Sequence, residues 1–287
     1  MKIALIGTGL IGTPLAEKLI ECGHDLIVHN RTRRKTKPLS KIGAQVARSP
    51  EEALKYAEII ILTLIDGPAI YDVLFLQGFE PDFHGKTIIQ MGTILPHESL
   101  DLQEKIFEKG GSYFEAPVLG SAPDAREKNL IVMVGSTKEQ FDLWKDLLSC
   151  FSSEPIYVGN VGKAANLKLS LNHLIAGMTA VFSLSLAMIQ RADVDINMFM
   201  KVLRESALYS KTYDKKLLRM LERNYSNPNF PVKHLLKDVD LIHSEAKNLN
   251  LFTEGIECLR GIIKSAIELG FSEGDYSAIF EVLNRPN

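Results

Sequence analysis

The run Lys2-Ile3-Ala4-Leu5-Ile6-Gly7-Thr8-Gly9-Leu10-Ile11-Gly12-Thr13-Pro14 joins a short apolar segment to a helical stretch through three glycines spaced G-x-G-x-x-G. The triplet alone is a weak signal, because glycine-rich turns are common. Its place directly after an apolar strand and at the opening of a helix is the context in which it cradles a dinucleotide. Gly7 permits the tight turn, Gly9 lets the backbone approach a pyrophosphate, and Gly12 lets helix and strand pack closely. Free N–H groups and the dipole at the helix N-terminus then favour the phosphates.

The next test lies at the end of the second strand, where a carboxylate selects NAD by binding the ribose hydroxyls. Here that place reads His29-Asn30-Arg31-Thr32-Arg33-Arg34-Lys35, without an acid, and Arg31 opens a cluster of five basic residues ending at Lys37. Repulsion against a 2′-phosphate is therefore absent, and a guanidinium is available for charge-assisted bonds to it. The reading is NADP (NADPH), with Asn30, Arg31 and Thr32 as contacts. A solvated basic loop is the plain alternative.

Outward from these motifs the chain divides by texture. Up to Val158, apolar runs at residues 2–6, 25–29, 58–64, 87–91, 113–118, 130–134 and 155–158 alternate with helical stretches at 14–21, 50–56, 70–75, 97–108 and 138–149. Alternation of this kind predicts a mostly parallel, doubly wound sheet. Residues 164–191 then read as one long helix, apolar on most faces and hence buried. Only helical stretches follow, near 196–207, 211–224, 232–249, 253–269 and 275–283. The expected architecture is an α/β Rossmann-type doubly wound sheet domain, residues 1–162, followed by an all-α domain, residues 163–287, with the long helix as the joint.

Composition bounds the function. With 33 basic and 35 acidic residues the net charge is -2, which speaks against nucleic acid or an anionic membrane as a partner. The longest apolar runs, such as 59–65, fall far short of a bilayer span, and no cleavage site follows the apolar N-terminus. Cys22, Cys150 and Cys258 are scattered and odd in number, so a disulfide frame is not expected and a cytoplasmic location fits. The seven histidines show no ligand spacing, and no metal is expected.

Two residues could do chemistry. Lys168 and Asn172 are spaced i, i+4 and share one face of the long apolar helix. A lysine there costs free energy unless it snorkels, pairs or works. Taken alone, snorkelling is the favoured reading. Reduction of a carbonyl by a nicotinamide also needs a proton donor at the developing alkoxide, and a partly desolvated lysine can be one.

Three further segments stand in order with these: Met91-Gly92-Thr93-Ile94-Leu95-Pro96, Glu115-Ala116-Pro117-Val118-Leu119-Gly120-Ser121 and Lys237-Asp238-Val239-Asp240-Leu241. With them in place the chain resembles, nearly end to end, the β-hydroxyacid dehydrogenases, which include 3-hydroxyisobutyrate dehydrogenases and glyoxylate and succinic semialdehyde reductases. The resemblance implies that Lys168 is the acid/base and that Asn172 helps hold the substrate. It implies that Gly120 and Ser121, with Leu119 beside them, meet a substrate carboxylate. Thr8, Leu10, Ile11, Leu64, Ile65 and Thr93 join the three glycines around the cofactor, and Lys237 lines the closed cofactor site. The expected substrate is a small carboxylate-bearing aldehyde or keto acid, and the expected assembly a homodimer or homotetramer built by residues after Ala164.

Some positions depart from the family pattern. Leu119 stands where many members carry Ser, Leu171 where the first Asn of a pair is usual, Asn129 for a Gly and Leu184 for a Glu. An apolar residue at 119 removes one hydrogen bond and suits a less hydrophilic substrate. Two rival readings share the architecture: an imine reductase, against which Lys168 counts, and a non-catalytic dinucleotide-binding module.

Overall fold

Ile3, Ala4, Leu5 and Ile6 are all buried, so the first strand has no solvent face and must be covered on both sides. The computed structural model, which describes residues 1–75, 78 and 80–285, meets this with a sheet between two layers of helices. Among the described residues the strands are β1 (Lys2–Ile6), β2 (Asp25–His29), β3 (Gln45–Val46), β4 (Ile59–Leu62), β5 (Thr87–Gln90), β6 (Ser112–Glu115), β7 (Val118–Leu119), β8 (Ile131–Gly135) and β9 (Ile156–Gly159). They lie in the order β3-β2-β1-β4-β5-β6-β8-β7, with β9 beside β8. From β3 through β6 all pairings are parallel, whereas β8 runs antiparallel to β6 and β7. The order reverses between β1 and β4, which makes this the doubly wound Rossmann-type sheet expected.

Side-chain alternation splits the core in two. Ile3 and Leu5 join one apolar cluster with Leu15, Ala16 and Leu19 of the helix Gly12–Glu21. Ala4 and Ile6 join the other, with Ala53, Leu54, Ile70, Leu102 and Ile106 from the helices Pro50–Tyr56, Gly67–Leu74 and Pro96–Glu108.

The expected strand 113–118 is in fact two strands, broken at Ala116-Pro117. Proline has no N–H for a ladder, so the chain leaves β6 there and re-pairs as β7. The expected strand 58–64 is shorter and ends at Leu62, leaving Leu64 and Ile65 in the loop beyond it. The two-residue β3 and the five-residue helix Ala122–Arg126 are too short to show a period and went unread.

The chain forms two compact units, Met1–Lys168 and Leu169–Asn287. By compactness the division falls inside the helix Lys163–Arg191, whose start is bonded to the sheet of the first unit. The second unit is helical, with Ile196–Glu205, Lys211–Leu221, Val232–Asn248 and Glu254–Ala266 as its further long helices. Its core gathers Phe182, Leu186, Met200, Met220 and Phe280. The helix expected to reach residue 269 closes at Ala266 in a wide turn, where Gly270 takes φ 91°.

By length and composition the helix Lys163–Arg191 could cross a bilayer. The expectation that this helix is buried is met only in part. Of its most apolar window, 44% is buried inside the protein. Leu174, Val181, Leu184 and Met188 form an exposed apolar stripe along it.

Candidate active site

Parallel strands put their C-terminal ends on one edge, and ligands of such sheets bind there, at the point where the strand order reverses. The glycine loop leaves β1 at this point. Gly7 has φ 106°, a conformation that suits glycine. A Cβ on Gly12 would collide with the Gly7 carbonyl and the Thr63 hydroxyl. Thr63, just past β4, donates its hydroxyl to that same carbonyl. Gly9 has nothing within 4 Å of the place a Cβ would take, which leaves the backbone open to a ligand.

The residues fit a dinucleotide in two further ways. The helix Gly12–Glu21 has no side-chain cap and no acid in its first turn, so its N-terminal donors and dipole face an anion without competition from the chain. The buried Thr8 Oγ1 has no hydrogen-bond partner among the described residues.

Asn30 follows β2 and has a role that the sequence did not show. Its side-chain oxygen accepts from the Thr8 N–H at 3.0 Å, and its amide nitrogen donates to the Thr32 carbonyl at 3.1 Å. It braces the glycine loop against the basic loop. Arg31 and Thr32 are exposed at the start of that loop. Leu64 is half-buried, and a Cβ on Gly92 would lie 2.5 Å from its carbonyl oxygen. The absence of a side chain at Gly92 therefore lets the loop carrying half-buried Thr93 close against the one carrying Leu64. Ile65, next to it, is exposed.

Glu115, at the end of β6, ties the sheet to the long helix. One carboxylate oxygen accepts from the backbone N–H groups of Gly162 (2.8 Å), Ala164 (2.8 Å) and Ala165 (3.0 Å), and the other from the Ser99 hydroxyl at 2.5 Å. Glu115 is 1% exposed. Burial pushes its carboxyl above the usual carboxylate range, against the pull of these four donors. The contacts hold the first turn of the helix at the edge where the glycine loop sits. Lys168, half-buried, stands about one turn beyond Ala165. Glu115 was quoted within a motif, but nothing in its spacing showed that it would cap a helix start 47 positions away.

The segment Leu119-Gly120-Ser121 follows β6 by way of Pro117. Gly120 takes φ 138°. Ser121 is expected to donate to a substrate carboxylate, but in the structure its donors are taken. Its N–H and its hydroxyl both donate to Asp124 Oδ2, at 2.7 and 2.6 Å.

In the second unit Asn172, Lys237 and Asp238 come together. Asn172 is buried and donates its amide to Asp238 Oδ2 at 2.6 Å, while Lys237 Nζ pairs with Asp238 Oδ1 at 2.6 Å. Asp238, which sequence reading did not single out, is the node between them. It shares the buried face of the helix Val232–Asn248 with Leu235, Val239 and Ile242. A charge on an apolar stripe was the signal that could have found it.

Comparison with known proteins bears on the family and the fold. The family model described as the NAD binding domain of 6-phosphogluconate dehydrogenase matches residues 2–159. The one described as NAD-binding of NADP-dependent 3-hydroxyisobutyrate dehydrogenase matches residues 162–283. Glyoxylate/succinic semialdehyde reductase 2 of Arabidopsis thaliana is 29% identical over 99% of this chain and 79% of its own. The uncharacterized oxidoreductase YfjR of Bacillus subtilis is 32% identical over 99% of this chain and all of its own. Among solved structures, 3-hydroxyisobutyrate dehydrogenase from Salmonella typhimurium superposes with a TM-score of 0.85, covering 98% of this chain and 99% of its own at 19% identity. An imine reductase from Myxococcus stipitatus superposes at 0.69, covering 99% and 100% at 17% identity. At those identities the two structures show the fold alone.

Proposed function

The chain belongs to the β-hydroxyacid dehydrogenase family, with its NAD(P)-binding sheet domain and 3-hydroxyisobutyrate dehydrogenase-like helical domain, and on that premise we propose that it is an NADPH-dependent reductase of a small aldehyde or keto acid, reversible as a hydroxyacid dehydrogenase. The observation that carries the reading is the Glu115 cradle. It fixes the start of the Lys168 helix at the edge of the sheet from which the glycine loop emerges.

When bound, the nicotinamide cofactor supplies the hydride to the carbonyl carbon. The glycine loop, braced by Asn30, binds the pyrophosphate. Arg31 and Thr32 meet the 2′-phosphate, and Leu64, Ile65 and Thr93 border the cofactor farther along the strand ends. Lys168 gives its Nζ proton to the carbonyl oxygen as negative charge develops there, and takes it back in the oxidative direction. Asn172 and Lys237, joined by Asp238, are assigned by the family resemblance to the substrate and to the cofactor. The test is a panel of glyoxylate, succinic semialdehyde, tartronate semialdehyde and an aromatic aldehyde, run with NADPH at one pH. No NADPH oxidation with any of them would refute the proposal. Apolar Leu119 favours an imine reductase as the second reading. Lys168 weighs against it.

Cofactor choice is a separate expected result. Charge-assisted bonds contribute ~1.5–3 kcal/mol each, about 10- to 150-fold in affinity. NADPH should therefore exceed NADH by at least about tenfold in kcat/KM, and Arg31→Ala should remove much of that difference. Equal use of both cofactors by the unmodified protein would contradict the assignment of Arg31.

The exposed apolar stripe of the helix Lys163–Arg191 supports assembly as a homodimer or homotetramer through residues after Ala164. Light scattering should find no monomer at micromolar concentration. A cytoplasmic location stays part of the proposal, resting on the odd number of cysteines scattered along the sequence.

A further inference from the structure

By the family resemblance, Leu119, Gly120 and Ser121 meet the end of the substrate where a carboxylate is expected. The geometry around Ser121 bears on what that end can be. Both Ser121 donors converge on the single oxygen Asp124 Oδ2. Gly120 is pressed against the same residue, since a Cβ there would lie 3.2 Å from Asp124 Cβ and 2.6 Å from Leu130 Cδ2. Leu119 offers no side-chain donor. The segment thus presents an apolar side chain, and beside it a carboxylate of its own that already occupies the donors of Ser121.

We infer that Asp124 determines specificity at this segment, favouring substrates whose remote end is uncharged and penalising those that carry a carboxylate there. The inference rests on the functional reading only in taking this segment to face the substrate. An incoming carboxylate must displace Asp124 from two charge-assisted bonds and then lie beside a like charge. An alkyl, aryl or amide end needs no such displacement and packs on Leu119. Aldehyde acids remain substrates, as proposed, but with a KM above that of the corresponding aldehydes with a neutral tail.

Asp124 also stands three residues after Ser121 at the start of the helix Ala122–Arg126, where a carboxylate serves as a capping box. The experiment separates this role from selection. Butyrate and its neutral isostere butyramide, neither of which can be reduced, are titrated by calorimetry into the NADP+ complex of the unmodified protein and of Asp124→Asn. Asparagine keeps an oxygen that can accept from the Ser121 N–H, and removes the charge. The unmodified protein should bind butyramide at least as tightly as butyrate. Asp124→Asn should tighten butyrate by about tenfold, the lower end of what a charge-assisted bond contributes. Butyramide and NADPH affinities and Tm should stay nearly constant.

A ratio of butyrate to butyramide affinity that is the same in both proteins overturns the inference. So does the unmodified protein preferring butyrate, or neither compound binding to either protein. If Asp124→Asn melts early or loses NADPH, Asp124→Ser carries the same titration with a neutral cap. Turnover of butanal and succinic semialdehyde is measured alongside. If NADPH is oxidised with neither, the reductase reading fails, while the binding ratio still decides the role of Asp124.

Discussion

Lys168→Ala should lower turnover ~10²–10⁴-fold, the loss typical of a general acid, while NADPH affinity stays close to that of the unmodified protein. The two effects separate because the phosphates and ribose are assigned to the glycine and basic loops, and the proton transfer to Lys168. A lysine that merely snorkels from an apolar helix predicts the opposite pattern, a shift in stability with activity kept. Lys168→Arg divides the two readings further. A guanidinium keeps the charge but does not give up its proton, so the variant should fold, bind NADPH and be nearly as inactive as Lys168→Ala. Tm, NADPH binding and turnover on one aldehyde would be measured for all three proteins. If Lys168→Ala retains more than about a tenth of the turnover, proton donation by Lys168 is wrong.

Glu115 should be the most sensitive position for stability outside the apolar core. Glu115→Ala leaves the N–H groups of Gly162, Ala164 and Ala165 without their acceptor in a buried place, while the Ser99 hydroxyl keeps Tyr113 Oη as a partner. Each orphaned group costs ~1–3 kcal/mol, so a loss of at least about 3 kcal/mol is expected, with Tm falling by roughly 10 °C. Turnover should fall as well, because the helix start that positions Lys168 is loosened. Glu115→Gln is the conservative control. Its amide oxygen can take the three N–H groups, and its nitrogen can donate to Ser99 Oγ, so most of the stability and turnover should return.

The pH dependence distinguishes the two side chains. Burial raises the Glu115 carboxyl above the ordinary glutamate range, so the folded state takes up a proton more readily than the unfolded chain. The stability linked to this group is complete below the ordinary glutamate value and is lost as pH rises through the raised one. Urea denaturation across that window should show this decline in the unmodified protein and not in Glu115→Gln. Equal slopes would mean that Glu115 does not titrate there. A Glu115→Ala protein as stable as the parent would remove the cradle from the explanation altogether.

The parts of this protein that its sequence determined are those governed by neighbours in the chain. The glycine loop, the apolar strands and the long helix follow from local sterics and from periods of two and of about 3.6 residues, so the doubly wound sheet, the helical second half and the dinucleotide loop were legible. The strand break at Pro117 was legible too, since a missing N–H is a property of one residue, although the reading ran through it. The family resemblance singled out Lys168, Ser121 and Asn172 as expected site residues.

What those residues touch was decided by tertiary structure alone. Glu115 meets the start of the long helix only because β6 and β9 both pair with β8. Asn172 meets Asp238 across 66 residues of chain. A charged-group contact has no period and leaves no trace in spacing, because its partner is chosen by which strand ends and helix faces the fold brings together. Even the local bonds from Ser121 to Asp124 needed the structure. Whether a serine hydroxyl turns to a ligand or to its own helix is settled by backbone angles that residue names do not specify.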